Sequence, residues 1–162
     1  MPGNDYKAFL QSHLGASEFH PGGIYEKDGT FVAPHEGIEM FTIGQRKGLP
    51  GGSPRPRYVI DIDPGTSRVI VGDAEDLVTE EFEMSHATWH LPPAEIEEAE
   101  VKIRYAHAGT PARIEDLGGG NARVILLEPQ RAVTPGQAAV VYSGDRVVGG
   151  GWITRQRAAV PA

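Results

Sequence analysis

The chain of 162 residues contains no cysteine. Disulfides, thiolate zinc sites and a cysteine nucleophile are therefore excluded within it. It also lacks any apolar run approaching 18 residues, so no segment reads as a membrane-spanning helix. The opening Met1-Pro2-Gly3 is not followed by the cationic start and apolar stretch of a signal peptide. Together these absences give the expectation of a cytoplasmic protein with no membrane partner. Serine nucleophile signatures are missing too: Ser12, Ser17, Ser53, Ser67, Ser85 and Ser143 have no elbow context. His86 and His90 are four apart, but Met84–His90 reads as a strand, with no cysteine to join the pair and no glutamate between them. A metal site is not expected there. His35, ahead of Gly37, reads as a turn residue, and Gly149-Gly150-Gly151 does not open a helix as a dinucleotide loop would.

What is abundant is glycine (21) and proline (13), spread along the length as short strands joined by many turns require. A first segment is helical by pattern. Asn4 or Asp5 caps it, Tyr6, Phe9, Leu10 and Leu14 form a stripe, and Gly15 stops it. Beyond it the pattern is β. Gly23–Tyr25 and Thr30–Val32 flank the turn Lys27-Asp28-Gly29, Ile38–Ile43 reads as a third strand, and Tyr58–Asp63 turns at Pro64-Gly65 into Arg68–Val71. The acidic stretch Asp73–Glu83 marks a boundary. After it Met84–His90, Val101–Tyr105, Arg113–Glu115, Ala122–Leu127, Ala138–Tyr142 and Arg146–Val148 are about six short strands with regular turns, the pattern of a small closed or nearly closed barrel. Trp89, Val101, Ile103, Val124, Leu126, Val140 and Val148 are its expected core. The expected fold is thus mainly β: a helical linker at 1–15, a small central β domain at 16–80 and a six-stranded or similar antiparallel barrel at 81–162.

Charge is uneven in a way the net value of −7 conceals. Residues 46–57 hold four cations and no anion, residues 58–100 hold twelve anions and only Arg68, and residues 101–162 hold eight cations and four anions. An acidic chain can still present a basic face, and that face decides binding. The sharpest local feature is Thr42-Ile43-Gly44-Gln45-Arg46-Lys47-Gly48-Leu49, with two cations and an amide between glycines, which suits a phosphate-bearing ligand. Lys102 and Arg104 alternate on one strand face with Tyr105 beside them, a set that could meet phosphates and a nucleobase. Thr134-Pro135-Gly136-Gln137 is a tight turn presenting an amide that both donates and accepts.

Those three segments, followed by Gly149-Gly150-Gly151-Trp152-Ile153, occur in an order and spacing that resemble the C-terminal half of the bacterial tRNA-specific 2-thiouridylases. Pro2–Leu10 resembles the segment just after that family's second catalytic cysteine. Met40-Phe41 stands where the family usually carries an aromatic pair, and Pro50 replaces a usual glycine. The resemblance implies a parent enzyme that uses ATP and a cysteine persulfide to place sulfur on the 2-position of the wobble uridine. It implies tRNA as partner, with a sulfur-carrier protein served through a missing domain. It implies tRNA contacts at Arg104, Tyr105 and Gln137, to which charge and motif add Arg46 and Lys47. Both catalytic cysteines and the ATP-binding domain are absent from these residues, so no catalytic residue is expected in this chain, which reads as a piece of a larger enzyme and is non-catalytic alone. The alternatives are a stand-alone RNA-binding barrel and a protein-interaction barrel.

Overall fold

The computed structural model describes residues 19–50, 52–106 and 108–154. The helix expected over residues 4–14 lies outside them. The chain divides into two units between Asp76 and Leu77.

The first unit is an open sheet of four strands in the order β2-β1-β4-β3: β1 Gly22–Glu26, β2 Phe31–His35, β3 Tyr58–Asp63 and β4 Arg68–Gly72. Both tight turns act as their sequences require. Gly29 takes the left-handed φ of 90° between β1 and β2, and Asp28 caps its own turn by accepting from the Thr30 N–H at 2.8 Å. At the second turn Asp63 accepts from the Gly65 N–H and the Thr66 hydroxyl. Pro34 is tolerated because β2 is an edge strand. β1 and β4 run parallel, which demands a long crossover; residues 36–57 supply it. Ile24, Ile38, Val59, Val69 and Val71 form the core, with Phe41, Ile43 and Leu49 packed on it.

The third expected strand, Ile38–Ile43, is not one. Ile38–Met40 is a 3-10 turn, closed by the Met40 N–H to Gly37 O and the Phe41 N–H to Ile38 O. Ile38 and Phe41 are three apart and both reach the core, a spacing that fits three residues per turn and not the period of two in a strand. Glu39 is held outside by His20, whose Nδ1 lies 2.5 Å from Oε1. His35 likewise ends β2 instead of forming a turn; its Nε2 meets Ser67 O at 3.0 Å and its ring packs edge-on against Phe41.

The second unit is a closed antiparallel barrel in the order β10-β5-β8-β7-β6-β9. Its strands are β5 Val78–Trp89, β6 Ala99–Lys102, β7 Thr110–Gly118, β8 Asn121–Arg131, β9 Ala138–Ser143 and β10 Arg146–Ile153. Phe82, Met84, Val101, Val124 and Val141 are almost fully buried inside, each contributing about 1.5–3 kcal/mol of burial. The acidic stretch read as a boundary runs on into β5: Glu81 and Glu83 point outward while Phe82 and Met84 point in. Arg123 on β8 faces Glu83 across the pair at 3.2 Å.

Of the expected core, Val101, Ile103, Val124, Leu126 and Val148 are buried and Trp89 packs partly buried against them. Val140 is not inside. Ala139 and Val141 are the inward residues of β9, so Ala138, Val140 and Tyr142 face out. Two adjacent valines hide the phase of the alternation, and it resolves one residue away from the sequence reading. The glycine triplet lies inside β10, where a bulge against β5 falls between Gly150 and Trp152. A Cβ on Gly149 would sit 2.2 Å from the Trp89 ring, and one on Gly150 2.6 Å from Ala139 O. Close approach of strands is what these glycines permit.

Candidate nucleic-acid interface

On the barrel, β6 stops at Lys102. Arg104 and Tyr105 therefore lie beyond the strand, not on one of its faces as the sequence suggested. The chain bends there, and the Arg104 guanidinium reaches to the β8–β9 connection, where Nη2 donates to Arg131 O and, at 2.9 Å, to Ala132 O. Ala132 holds a left-handed φ of 53°, costing an alanine roughly 1–2 kcal/mol. Three bonds tie it down: Arg104 and the Thr134 hydroxyl both donate to its carbonyl, and its own N–H donates to Leu77 O. Arg104 is thus pinned through one nitrogen, its side chain remains exposed, and it has no carboxylate partner among the described residues.

Two residues on, Thr134-Pro135-Gly136-Gln137 forms a turn with Gly136 at φ 84° and the Gln137 N–H bonded to Thr134 O at 3.3 Å. Positive φ at the third position, with proline before it, is the type II geometry. The turn is fastened to β10 by Gly136 N–H to Ile153 O and Ile153 N–H to Gln137 O, both 2.8 Å. Main-chain bonds hold the backbone, and the exposed Gln137 side chain needs none of them.

Arg104, Tyr105 and Gln137 line one open cleft of about 540 Å³, together with Lys102, Val140 and Tyr142. Tyr105 is fully exposed. The Lys102 Nζ stands 5.0 Å from the centre of the Tyr142 ring, a cation–π contact that positions both side chains. No carboxylate is among the lining residues. Cations, aromatic faces, one amide and an apolar floor are the chemistry of a site for a phosphodiester carrying an exposed base. Sequence reasoning missed Tyr142 and the floor at Val140, because Val140 was assigned inward; the outward phase of Ala138–Tyr142 was the signal that would have found them.

Arg46 and Lys47 belong to the other unit. Gly44 and Gly48 take φ of 87° and 77°, and the loop is clipped to β3 by Gly44 N–H to Val59 O and Val59 N–H to Gln45 O. The Gln45 amide is consumed internally: Oε1 accepts from the Thr42 N–H and Nε2 donates to Lys47 O, each at 3.0 Å. It shapes the loop and is not offered to a ligand. Arg46 and Lys47 are both exposed. Arg46 lines a shallow hollow of about 310 Å³ with Arg55, Arg57 and three prolines, whereas Lys47 lies outside that hollow. Arg57 is paired with Glu26.

Among the described residues, no group of three or more His, Asp or Glu is placed to hold a metal ion, and no helix is long and apolar enough to cross a membrane. His86 has a left-handed φ of 51° and sits exposed beside Ser85.

Residues 7–73 match the family described as the tRNA methyl transferase PRC-barrel domain, and residues 79–153 match the aminomethyltransferase β-barrel domain. Among curated relatives, the tRNA-specific 2-thiouridylase MnmA of Acidithiobacillus ferrooxidans is 42% identical over 155 residues, covering 94% of this chain and 44% of the relative. A second MnmA, from Syntrophus aciditrophicus, is 41% identical, covering 94% of this chain and 51% of the relative. The MnmA of Magnetococcus marinus is 43% identical, with 94% and 43% covered. The chain spans about half the length of the curated relatives it matches. With both domain matches falling in order within this one shared span, the chain belongs to the tRNA-specific 2-thiouridylase family, of which it carries the PRC-barrel and β-barrel portion.

Proposed function

We propose that this chain is the tRNA-holding portion of a 2-thiouridylase. In that reading it grips the tRNA while ATP and a persulfide sulfur, delivered by a carrier protein, act on the wobble uridine in a part of the enzyme these residues do not include, in the cytoplasm. Arg104 pairs with backbone phosphate, Tyr105 offers a stacking face and Gln137 reads a base edge or ribose. The observation that carries the reading is the convergence of these three side chains, from two separate segments, on one carboxylate-free cleft of a chain related to proteins named for tRNA thiolation. Arg46 and Lys47 add a second set of phosphate contacts. The chain itself has no thiol and transfers no sulfur.

The test is tRNA binding by the 162-residue chain at two salt concentrations. Binding in the range of about 10⁻⁴–10⁻⁶ M that weakens as salt rises is expected, because each paired phosphate releases counterions. Arg104→Ala with Gln137→Ala should weaken it by tenfold or more, at roughly 1–3 kcal/mol per lost specific contact. Unchanged affinity in that double variant contradicts the assignment. Formation of 2-thiouridine by the chain alone, with ATP and a sulfur donor, contradicts the non-catalytic reading.

A further inference from the structure

Trp152 is an unexplained residue on the barrel surface. A tryptophan normally buries most of its indole, yet this one is 54% exposed near the end of β10, where it is paired on both sides. Its neighbour Ile153 fills the core, so the alternation of β10 sends the indole outward. Its pairing partner on β9 is Ala138, which lines the cleft. Directly paired residues point to the same face with their Cβ atoms about 5 Å apart. Ala138 is too small to screen the indole from the cleft. One step along the ladder, Gly150 stands opposite Val140 and adds no side chain. The outer face of β9 and β10 is therefore low and apolar beside the cleft, with the indole standing at its edge.

We infer that Trp152 extends the cleft into a second stacking position, taking an unpaired nucleobase of the bound RNA next to the nucleotide held by Arg104, Tyr105 and Gln137. The inference rests on the tRNA-holding reading and adds to it a residue and a substrate feature: a strand with at least two unstacked bases, as opposed to a duplex surface. Charge favours RNA as the occupant over a protein helix. Lys102 and Arg104 flank this face, no carboxylate lines the cleft, and Glu100, opposite Tyr142, lies against Gly109 instead. An exposed aromatic beside cations and an apolar floor is the arrangement by which successive bases of a single strand are stacked without regard to sequence.

The experiment uses the full chain, a tRNA transcript and a short oligouridylate without secondary structure. Both ligands should quench the tryptophan emission of the wild type. In Trp152→Phe the quench should be lost while most of the affinity remains, since a phenyl ring still stacks. Trp152→Ala should bind both ligands about tenfold or more weakly, the loss expected for one stacked base. Trp152→Thr keeps the strand propensity of the site without a π face and should match alanine, which separates lost stacking from lost folding. If Ala and Thr variants bind as the wild type does while Arg104→Ala weakens binding, the indole is a bystander and the tRNA reading survives. If no variant, including Arg104→Ala, changes affinity, both fail. Retained affinity for the oligouridylate in a variant that has lost a protein partner assigns the face to protein and overturns the inference.

Discussion

The two units solve the same problem, a small β core, in opposite ways. The barrel closes its hydrogen-bonded ring, has no edge strand and, among the described residues, buries thirteen in one cluster. The four-stranded sheet leaves β2 and β3 as edges, buries five of its described residues in its cluster, and adds apolar side chains from an irregular crossover. Polar fasteners add to it: Lys27 with Asp76, Arg57 with Glu26, Arg68 over the Tyr25 ring, and the internal amide of Gln45. The consequence for ligands follows. A closed barrel gives a rigid frame on whose outer rim a site can be assembled from distant segments. An open sheet with a clipped loop presents exposed cations with little shape around them.

The comparison is sharpened most by core substitution. Phe82→Ala in the barrel should cost about 3–5 kcal/mol, and Gly150→Ala about 1–3 kcal/mol because the facing atom is a backbone carbonyl that cannot yield. Hydrogen exchange read on β5–β10 amides checks both; a loss below 1 kcal/mol for Phe82→Ala would show that the barrel core is not what holds this unit. Next in size is the contrast in tRNA binding. Arg104→Ala with Gln137→Ala should remove affinity and selectivity together. Arg46→Ala with Lys47→Ala should lower affinity evenly across RNAs and flatten the salt dependence, by about one unit of slope per lost phosphate contact. Equal effects of both pairs would erase the distinction between a shaped site and a charged loop.

Smaller still is a pH effect confined to the open sheet. Burial pushes the His35 imidazole below its ordinary value of 6.5, partly offset by its bond to Ser67 O. The unfolded chain therefore takes up a proton before the folded sheet does. Stability is fully present above 6.5 and declines as pH falls through the folded value. His35→Gln should flatten that decline when β1–β4 exchange is followed from pH 7 to 5. The smallest effect is expected of Lys27 and Asp76. The Lys27 ammonium, hydrogen-bonded at 2.5 Å, holds the Asp76 carboxyl below 3.8. The pair stabilises above that pH and is lost in acid, and its exposure keeps the contribution slight. Lys27→Ala should lower stability slightly above the carboxylate range and leave the acid end of the curve unchanged.

Legibility followed the local physics. The hairpin at Lys27-Asp28-Gly29 was readable because Gly29 takes the left-handed φ. The one at Pro64-Gly65 was readable because proline and the Asp63 side chain favour a turn, though its left-handed residue is Ser67. Barrel strands such as β5 were readable because their outward positions are polar. Three features were not. Ile38–Ile43 has strand-like composition, but Ile38 and Phe41 bury at a spacing of three. The phase of Ala138–Tyr142 is hidden by paired small and apolar residues, which concealed Val140 and Tyr142 as cleft residues. Gln45 looked like a ligand group because no pattern in sequence says that an amide will bond its own loop. The cleft residues Arg104, Tyr105 and Gln137 came from resemblance. Their meeting in space depends on β6 ending early and on the Arg104 hook to Arg131 and Ala132, neither of which has a signal in the sequence.

The most direct measurement is a titration of isotope-labelled chain with tRNA, following backbone amide shifts. The account predicts that the largest and salt-sensitive shifts fall on 102–105, 137–142 and 152, with smaller ones at 44–48. Shifts confined to the outer face of β7 and β8, or none in the first two groups at saturating tRNA, would contradict it.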